Sequence, residues 1–129
     1  MIDSDAHIPI HPSSGREGDM AITIADFSRL DIRVGRIVRA EAFPRASKPA
    51  IRLWIDFGGL GERQSSAQLT VRYQPDTLVG RLIVAVVNLP PRRIAGMNSE
   101  VLVLGAVGSD GDVALLAPDL PAEPGAHIG

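Results

Sequence analysis

Ile32-Arg33-Val34-Gly35-Arg36-Ile37-Val38-Arg39-Ala40-Glu41-Ala42 is the run on which the fold turns. Ile32 and Val34 alternate with Arg33, the period of a half-buried strand. Gly35 then interrupts, and Ile37 and Val38 follow. A glycine inside such a run predicts a bulge or a sharp coiling of the strand. A strongly coiled first strand suits a sheet that curls and closes on itself.

The residues downstream supply the partners for such a strand. After a proline-bounded loop, Ile51, Leu53, Ile55 and Phe57 fall on one side of a strand, with Arg52, Trp54 and Asp56 on the other. Trp54, the single tryptophan, therefore stands away from the apolar row, open to packing under a loop, an interface or a stacking role. Gly58-Gly59-Leu60-Gly61 reads as a turn. Residues 63–69 form a small, polar strand, suited to a close backbone approach, a binding surface or a plain edge. Residues 70–79 look like a short helix or two turns, ended by Gly80, and Leu82–Val87 like a central strand. Val101–Val107 and Val113–Ala117 pair across Gly108-Ser109-Asp110-Gly111-Asp112, a strong hairpin signal. The Pro-rich residues 118–129 end the domain.

Upstream, Ile22–Leu30 is an apolar entry with one helical turn that Asp26 or Ser28 could cap. Residues 1–20 lack periodicity and read as a disordered tail before a domain over 21–129. His7 and His11 lie four apart there, but Pro9 and Pro12 oppose the helix that would align them as metal ligands. The expected architecture is an all-β barrel with a short helical insert and terminal extensions. The oligonucleotide/oligosaccharide-binding (OB) fold fits it, in which one sheet face and its bordering loops hold ligand. Periodicity leaves a sandwich or an SH3-like barrel open.

Asn88-Leu89-Pro90-Pro91-Arg92-Arg93-Ile94-Ala95-Gly96-Met97-Asn98-Ser99-Glu100 joins two apolar runs. Pro90 and Pro91 stiffen the exit from the strand. Arg92 and Arg93 then stand on a rigid loop, where paired guanidiniums suit planar recognition of phosphate or carboxylate. The same loop also reads as a solvated turn carrying two charges.

Composition bounds the function. At 129 residues with 45% hydrophobic and 22% charged content, the chain is an ordinary globular domain. No apolar run approaches the roughly 20 residues of a membrane span. No signal peptide is visible, and no cysteine is present, which fits a cytoplasmic protein without disulfide or thiol chemistry. The net charge of -2 hides an asymmetry. Residues 29–93 carry twelve basic groups against five acidic ones, a balance of +7, and residues 94–129 carry five acidic groups and no Lys or Arg. A basic face toward an anionic partner follows if these segments segregate in space. No histidine lies between His11 and His127, so Ser65 or Ser66 has no Ser-His pairing in the core. A carboxylate pair of Asp56 and Glu100 is the remaining catalytic option, and Glu100 reads better as orienting the adjacent arginines.

Asp26-Phe27, residues 30–37, Ile55-Asp56-Phe57-Gly58, Gln64-Ser65-Ser66-Ala67-Gln68 and residues 88–100 together resemble the CsaA family, part of the wider group of tRNA-binding domains appended to methionyl- and phenylalanyl-tRNA synthetases. The match runs from about residue 21 to 129; the tail has no counterpart, and arginine stands where the family often has lysine. The resemblance implies an OB-fold, a homodimer, no catalysis and no cofactor. It implies binding of tRNA or of unfolded, export-bound polypeptide. On it, tRNA contacts map to Arg63, Gln64, Ser65, Ser66, Asn88, Arg92, Arg93, Ser99 and Glu100. A polypeptide would instead use Ser65, Ser66 and Met97. Aromatic residues are only 4%, so stacking platforms are few.

Overall fold

The computed structural model describes residues 20–43 and 48–129. Of the tail expected over 1–20, residues 1–19, with His7 and His11, lie outside the described residues, as does the loop 44–47.

Among the described residues nine strands form, and five of them build one antiparallel sheet. They are β1 (Ile32–Ala42), β2 (Ile51–Asp56), β3 (Glu62–Ala67), β4 (Leu82–Val86), β5 (Arg92–Ile94), β6 (Met97–Ser99), β7 (Leu102–Val103), β8 (Gly105–Val107) and β9 (Val113–Leu115). The large sheet has the order β3-β2-β1-β4-β7. β1 is long enough to serve two partners: Ile32–Arg36 pair with β4, and Arg36–Ala42 with β2. A bulge interrupts the second pairing between Ile37 and Arg39, leaving Val38 as the extra residue. The coil expected at Gly35 therefore has its bulge three residues later. Gly35 has another reason: a Cβ there would lie 2.5 Å from Ile55 Cγ2 and 2.7 Å from Phe57 Cε1.

The sheet closes where β3 meets the β6–β7 segment. Glu100 N donates to Gln64 O at 2.8 Å, and Gln64 N donates to Glu100 Oε1 at 3.1 Å. Inside lies the core of Ile37, Ile51, Leu53, Ile55, Phe57, Leu69, Ile83 and Val103, plugged by Leu78 of the helical insert. β4 is buried on both faces: Ile83 and Ala85 face this core, while Val84 and Val86 pack with Ile32 and Leu102. That accounts for its uninterrupted apolar run. This is an all-β OB-type barrel, as the strand pattern predicts.

The two α-helices among the described residues are short. α1 (Ile24–Ser28) is capped by Thr23 rather than by Asp26 or Ser28. Thr23 Oγ1 accepts from Asp26 N, and Asp26 Oδ2 accepts from Thr23 N, a capping box. α2 (Pro75–Leu78) is the helical insert. The run 101–107 is divided: β7 pairs with β4, and β8 with β9. The C-terminal residues extend the sheet, with Val34 N donating to Ala126 O and Ile128 N to Ile32 O, both at 2.9 Å.

Candidate nucleic-acid interface

The stretch read as a rigid loop is a two-stranded hairpin. β5 and β6 pair Arg92 with Ser99, Arg93 with Asn98 and Ile94 with Met97. Ala95 and Gly96 form its tip with φ of 49° and 86°, the positive pair of a type I′ turn. Side chains alternate along a strand, so Arg92 and Arg93 point to opposite faces and make no joint planar clamp. Arg93 is exposed beside Asn98, with Nη1 3.5 Å from Asn98 Oδ1. Arg92 is half-buried against Leu89, Pro90, Ser99 and Glu100, lining a cavity of about 30 Å³.

The serines assigned to a ligand are turned into the barrel seam. Ser65, Ser66 and Ser99 are only 1%, 6% and 5% exposed. Ser65 Oγ donates to Val101 O at 3.1 Å, and Ser66 N donates to Ser99 Oγ at 3.2 Å. Glu100 accepts the Gln64 backbone N–H. These groups hold β3 to the hairpin, where bulky side chains would keep the backbones apart. Asn88 is a clip: its Oδ1 accepts from Asp31 N at 2.9 Å and its Nδ2 donates to Arg29 O at 2.8 Å, fixing the exit from α1 to the end of β4. Arg63 is half-buried and donates to Leu60 O. Met97 is 4% exposed and packs with Phe43, Ala50 and Ile94. Asp56, the other carboxylate considered for catalysis, accepts from Gly58 N at 2.8 Å.

Residues outside that set, together with Gln64 from it, line the outer face of the sheet. On the outer face of β1–β3, Arg39 stands opposite Trp54, and Trp54 opposite Gln64. The next outward row holds Glu41 and Arg52. The Arg39 and Arg52 guanidiniums lie 4.3 Å and 4.7 Å from the Trp54 ring centroid, within cation–π range. Arg39 pairs with Glu41, and Arg52 Nη2 donates to Gln64 Oε1 at 2.8 Å. Trp54 and Arg52 were legible as outward residues of one face; Arg39 as a partner of the ring was not. The hairpin tip overhangs this face, and between them Phe43, Arg52, Ala95, Gly96 and Met97 line a pocket of about 130 Å³.

Charge is unevenly neutralised. Arg33 holds the Asp31 carboxyl below its ordinary value by donating to it at 2.8 Å, and His127 Nδ1 lies 3.7 Å from the same group. Arg72 does the same to Asp112, tying the segment after β3 to the β8–β9 hairpin. No acidic ion-pair partner within 4.0 Å is found for Arg52 or Arg93 among the described residues. No group of three or more His, Cys, Asp or Glu suits a metal ion, and no helix is long and apolar enough to cross a membrane, again among the described residues.

Known proteins are similar to this chain in sequence and fold. The family model "Putative tRNA binding domain" matches residues 32–127. The chaperone CsaA from Bacillus anthracis is 53% identical, with a TM-score of 0.81 over 84% of this chain and 99% of its own. CsaA from Picrophilus torridus is 49% identical, with a TM-score of 0.79 over 84% of this chain and all of its own. Methionine–tRNA ligase from Thiobacillus denitrificans is 44% identical over 113 residues, 83% of this chain and 16% of the ligase. The chain thus spans about a sixth of that ligase but nearly the whole length of the CsaA proteins. It belongs to the tRNA-binding domain family, and within it to the CsaA type.

Proposed function

We propose that this chain binds tRNA through the outer face of β1–β3 and the overhanging β5–β6 hairpin, without catalysing a reaction, as a homodimer in the cytoplasm. The observation that carries it is the Arg39–Trp54–Arg52 stack, set on the sheet face that OB-folds use for oligonucleotides. A guanidinium held over an indole within cation–π range keeps N–H groups at its rim for phosphate. Gln64 borders the stack, Arg93 and Asn98 stand on the exposed side of the hairpin, and Arg92 lies on its inner side. Ser65, Ser66, Ser99 and Asn88 act in this reading as scaffold.

The dimer rests on α1. None of its residues is buried, and Ile22, Ile24 and Phe27 are 72%, 81% and 39% exposed. A five-residue helix has no stability of its own, so a second copy covering this apolar entry accounts for it. Light scattering should give twice the chain mass, and Ile24→Asp should return a monomer.

The test of RNA binding is a salt titration of a tRNA transcript. Wild type should show log affinity falling steeply with log salt. Arg93→Ala should flatten the slope by about 0.7–0.9, the share of one phosphate contact. An unchanged slope in a folded Arg93→Ala variant removes the hairpin from the interface. Polypeptide holding is the second reading, favoured by the likeness to CsaA chaperones. Under it, neutral apolar peptides bind with little salt dependence, and tRNA does not displace them.

A further inference from the structure

The two guanidiniums on Trp54 are held in different ways. Arg52 is held by a neutral amide, donating from Nη2 to Gln64 Oε1 at 2.8 Å. Arg39 is held by a carboxylate: its Nε and Nη2 both donate to Glu41 Oε1, the first at 3.1 Å. Nε and Nη2 form one edge of the planar fork with which a guanidinium grips a carboxylate or a phosphate. The pair does little for the fold. Arg39 and Glu41 lie two apart on one strand, and their side chains are 61% and 46% exposed. The contact therefore joins no separate elements and counts for little in stability. Arg72 and Asp112, by contrast, tie segments 40 residues apart. Glu41 also stands directly across from Arg52, on the same side of the sheet. One carboxylate thus lies beside both cations of the stack.

We infer that the Nε–Nη2 edge of Arg39, over Trp54, is the seat of one RNA phosphate, and that Glu41 occupies this seat until RNA arrives. The proposal rests on the tRNA-binding reading and deepens it, naming the phosphate contact and its competitor. Carboxylate and phosphate offer a guanidinium the same kind of charged oxygen acceptor, so one exchanges for the other while Arg39 stays on the ring. The exchange has a consequence in charge. Arg39 with Glu41 is neutral, and a neutral pair cancels no phosphate charge and so releases no counterion from the RNA. Glu41 thereby lowers the affinity of the face and flattens its dependence on salt. With that charge removed, Arg39 meets the RNA as a full cation and neutralises one more phosphate.

The test is a salt titration of a tRNA transcript against the full chain, with Glu41→Gln as the main variant. Glutamine keeps an oxygen that accepts from Arg39 and removes only the charge. Glu41→Gln should bind about two- to five-fold tighter than wild type, the scale of one exposed charge pair. It should also steepen the slope of log affinity against log salt by about 0.7–0.9. Its Tm should stay within a few degrees of wild type. Adding Arg39→Ala to it should return the slope to the wild-type value. Glu62→Gln is the control. Glu62 is exposed, stands across from Asp56 on the same face, and has no basic ion-pair partner within 4.0 Å among the described residues; its loss should leave the slope nearly unchanged. Equal steepening in Glu62→Gln overturns the inference, since any lost carboxylate then acts alike. Unchanged binding in Glu41→Gln overturns it, and weaker binding does so by making Glu41 a positioning residue for Arg39. A slope that stays steep in Arg39→Ala/Glu41→Gln overturns the seat on Arg39. In each of these cases tRNA binding itself stands. Failure of wild type and Glu41→Gln alike to bind tRNA removes the RNA reading, and the seat with it.

Discussion

Gly35→Ala should be among the most damaging single-methyl additions in this protein. Gly35 is buried, and its Cα faces Ile55 and Phe57, both 0% exposed in the core. An added Cβ would sit 2.5 Å from Ile55 Cγ2, and 2.7 Å and 3.0 Å from two ring carbons of Phe57. Relief requires movement of a β-branched side chain with a stiff χ1 or of a ring enclosed on all sides. Overpacking of this kind typically costs about 1–3 kcal/mol. Alanine also restricts the unfolded chain, which returns about 0.4–1 kcal/mol. The net loss expected is about 1–2 kcal/mol, a drop in Tm of about 4–8 °C for a domain of this size. Urea melts of wild type, Gly35→Ala, Phe57→Leu and the double variant make a cycle that isolates the clash. The smaller side chain vacates the space the methyl needs, so the double variant should be less destabilised than the sum of the singles by about 1 kcal/mol. A Gly35→Ala loss below about 0.5 kcal/mol, or strict additivity, would refute the packing argument.

Ser65→Ala should cost about 1–3 kcal/mol, since Val101 O then lacks its buried donor, while tRNA affinity of the folded protein holds; normal stability with weakened tRNA binding would make the hydroxyl a ligand contact. Ala95→Asn should stabilise the hairpin by a few tenths to about 1 kcal/mol, because asparagine tolerates the positive φ of a type I′ turn better than alanine, and a lower Tm would contradict that. Asp31 and Asp112 have folded pKa values held below their unfolded ones by Arg33 and Arg72. Their stabilisation is therefore full above the unfolded value near pH 4 and is lost as pH falls through the lower folded values. Tm measured from pH 6 to 3 should fall on that limb, less steeply in Asp31→Asn and in Asp112→Asn, each of which lacks one of these groups. A chain starting at Met20 should melt within a few degrees of the full chain, because residues 1–19 have no apolar period with which to offset their ordering; a large loss would show that they dock.

The barrel was legible because its strands alternate strictly where one face is buried and run apolar where both are. Ile51–Phe57 gave its phase directly, and Leu82–Val87 gave its central position. The hairpin inside residues 92–99 was not legible. Its strands have three residues each, and its turn is Ala95-Gly96 rather than the Asn-Gly or Asp-Gly that marks a type I′ turn. Reading it as a loop put Arg92 and Arg93 side by side, whereas an extended pair must diverge. The serines of β3 carried three readings, close backbone approach, binding surface or plain edge, and the Ser65 Oγ–Val101 O and Ser66 N–Ser99 Oγ bonds show the close approach.

Arg39 shows why the surface itself escaped the sequence. Ile37 faces the core opposite Ile55. Strict alternation from Ile37 puts Val38 outward and Arg39 inward, a charge aimed at apolar residues. The bulge at Val38 shifts the phase by one, so that Arg39 comes to stand opposite Trp54 and Ala40 opposite Leu53. No glycine or proline marks Val38, and the nearest irregular residue, Gly35, makes room for Phe57 instead. A single unmarked extra residue thus decides whether the indole carries one guanidinium, that of Arg52, or a second from Arg39 as well. The coiling that lets β1 serve two partners also places that extra residue there. Deleting Val38 should restore the plain alternation and turn Arg39 toward the core, and the sheet would have to give up either this pairing or the closure of the barrel.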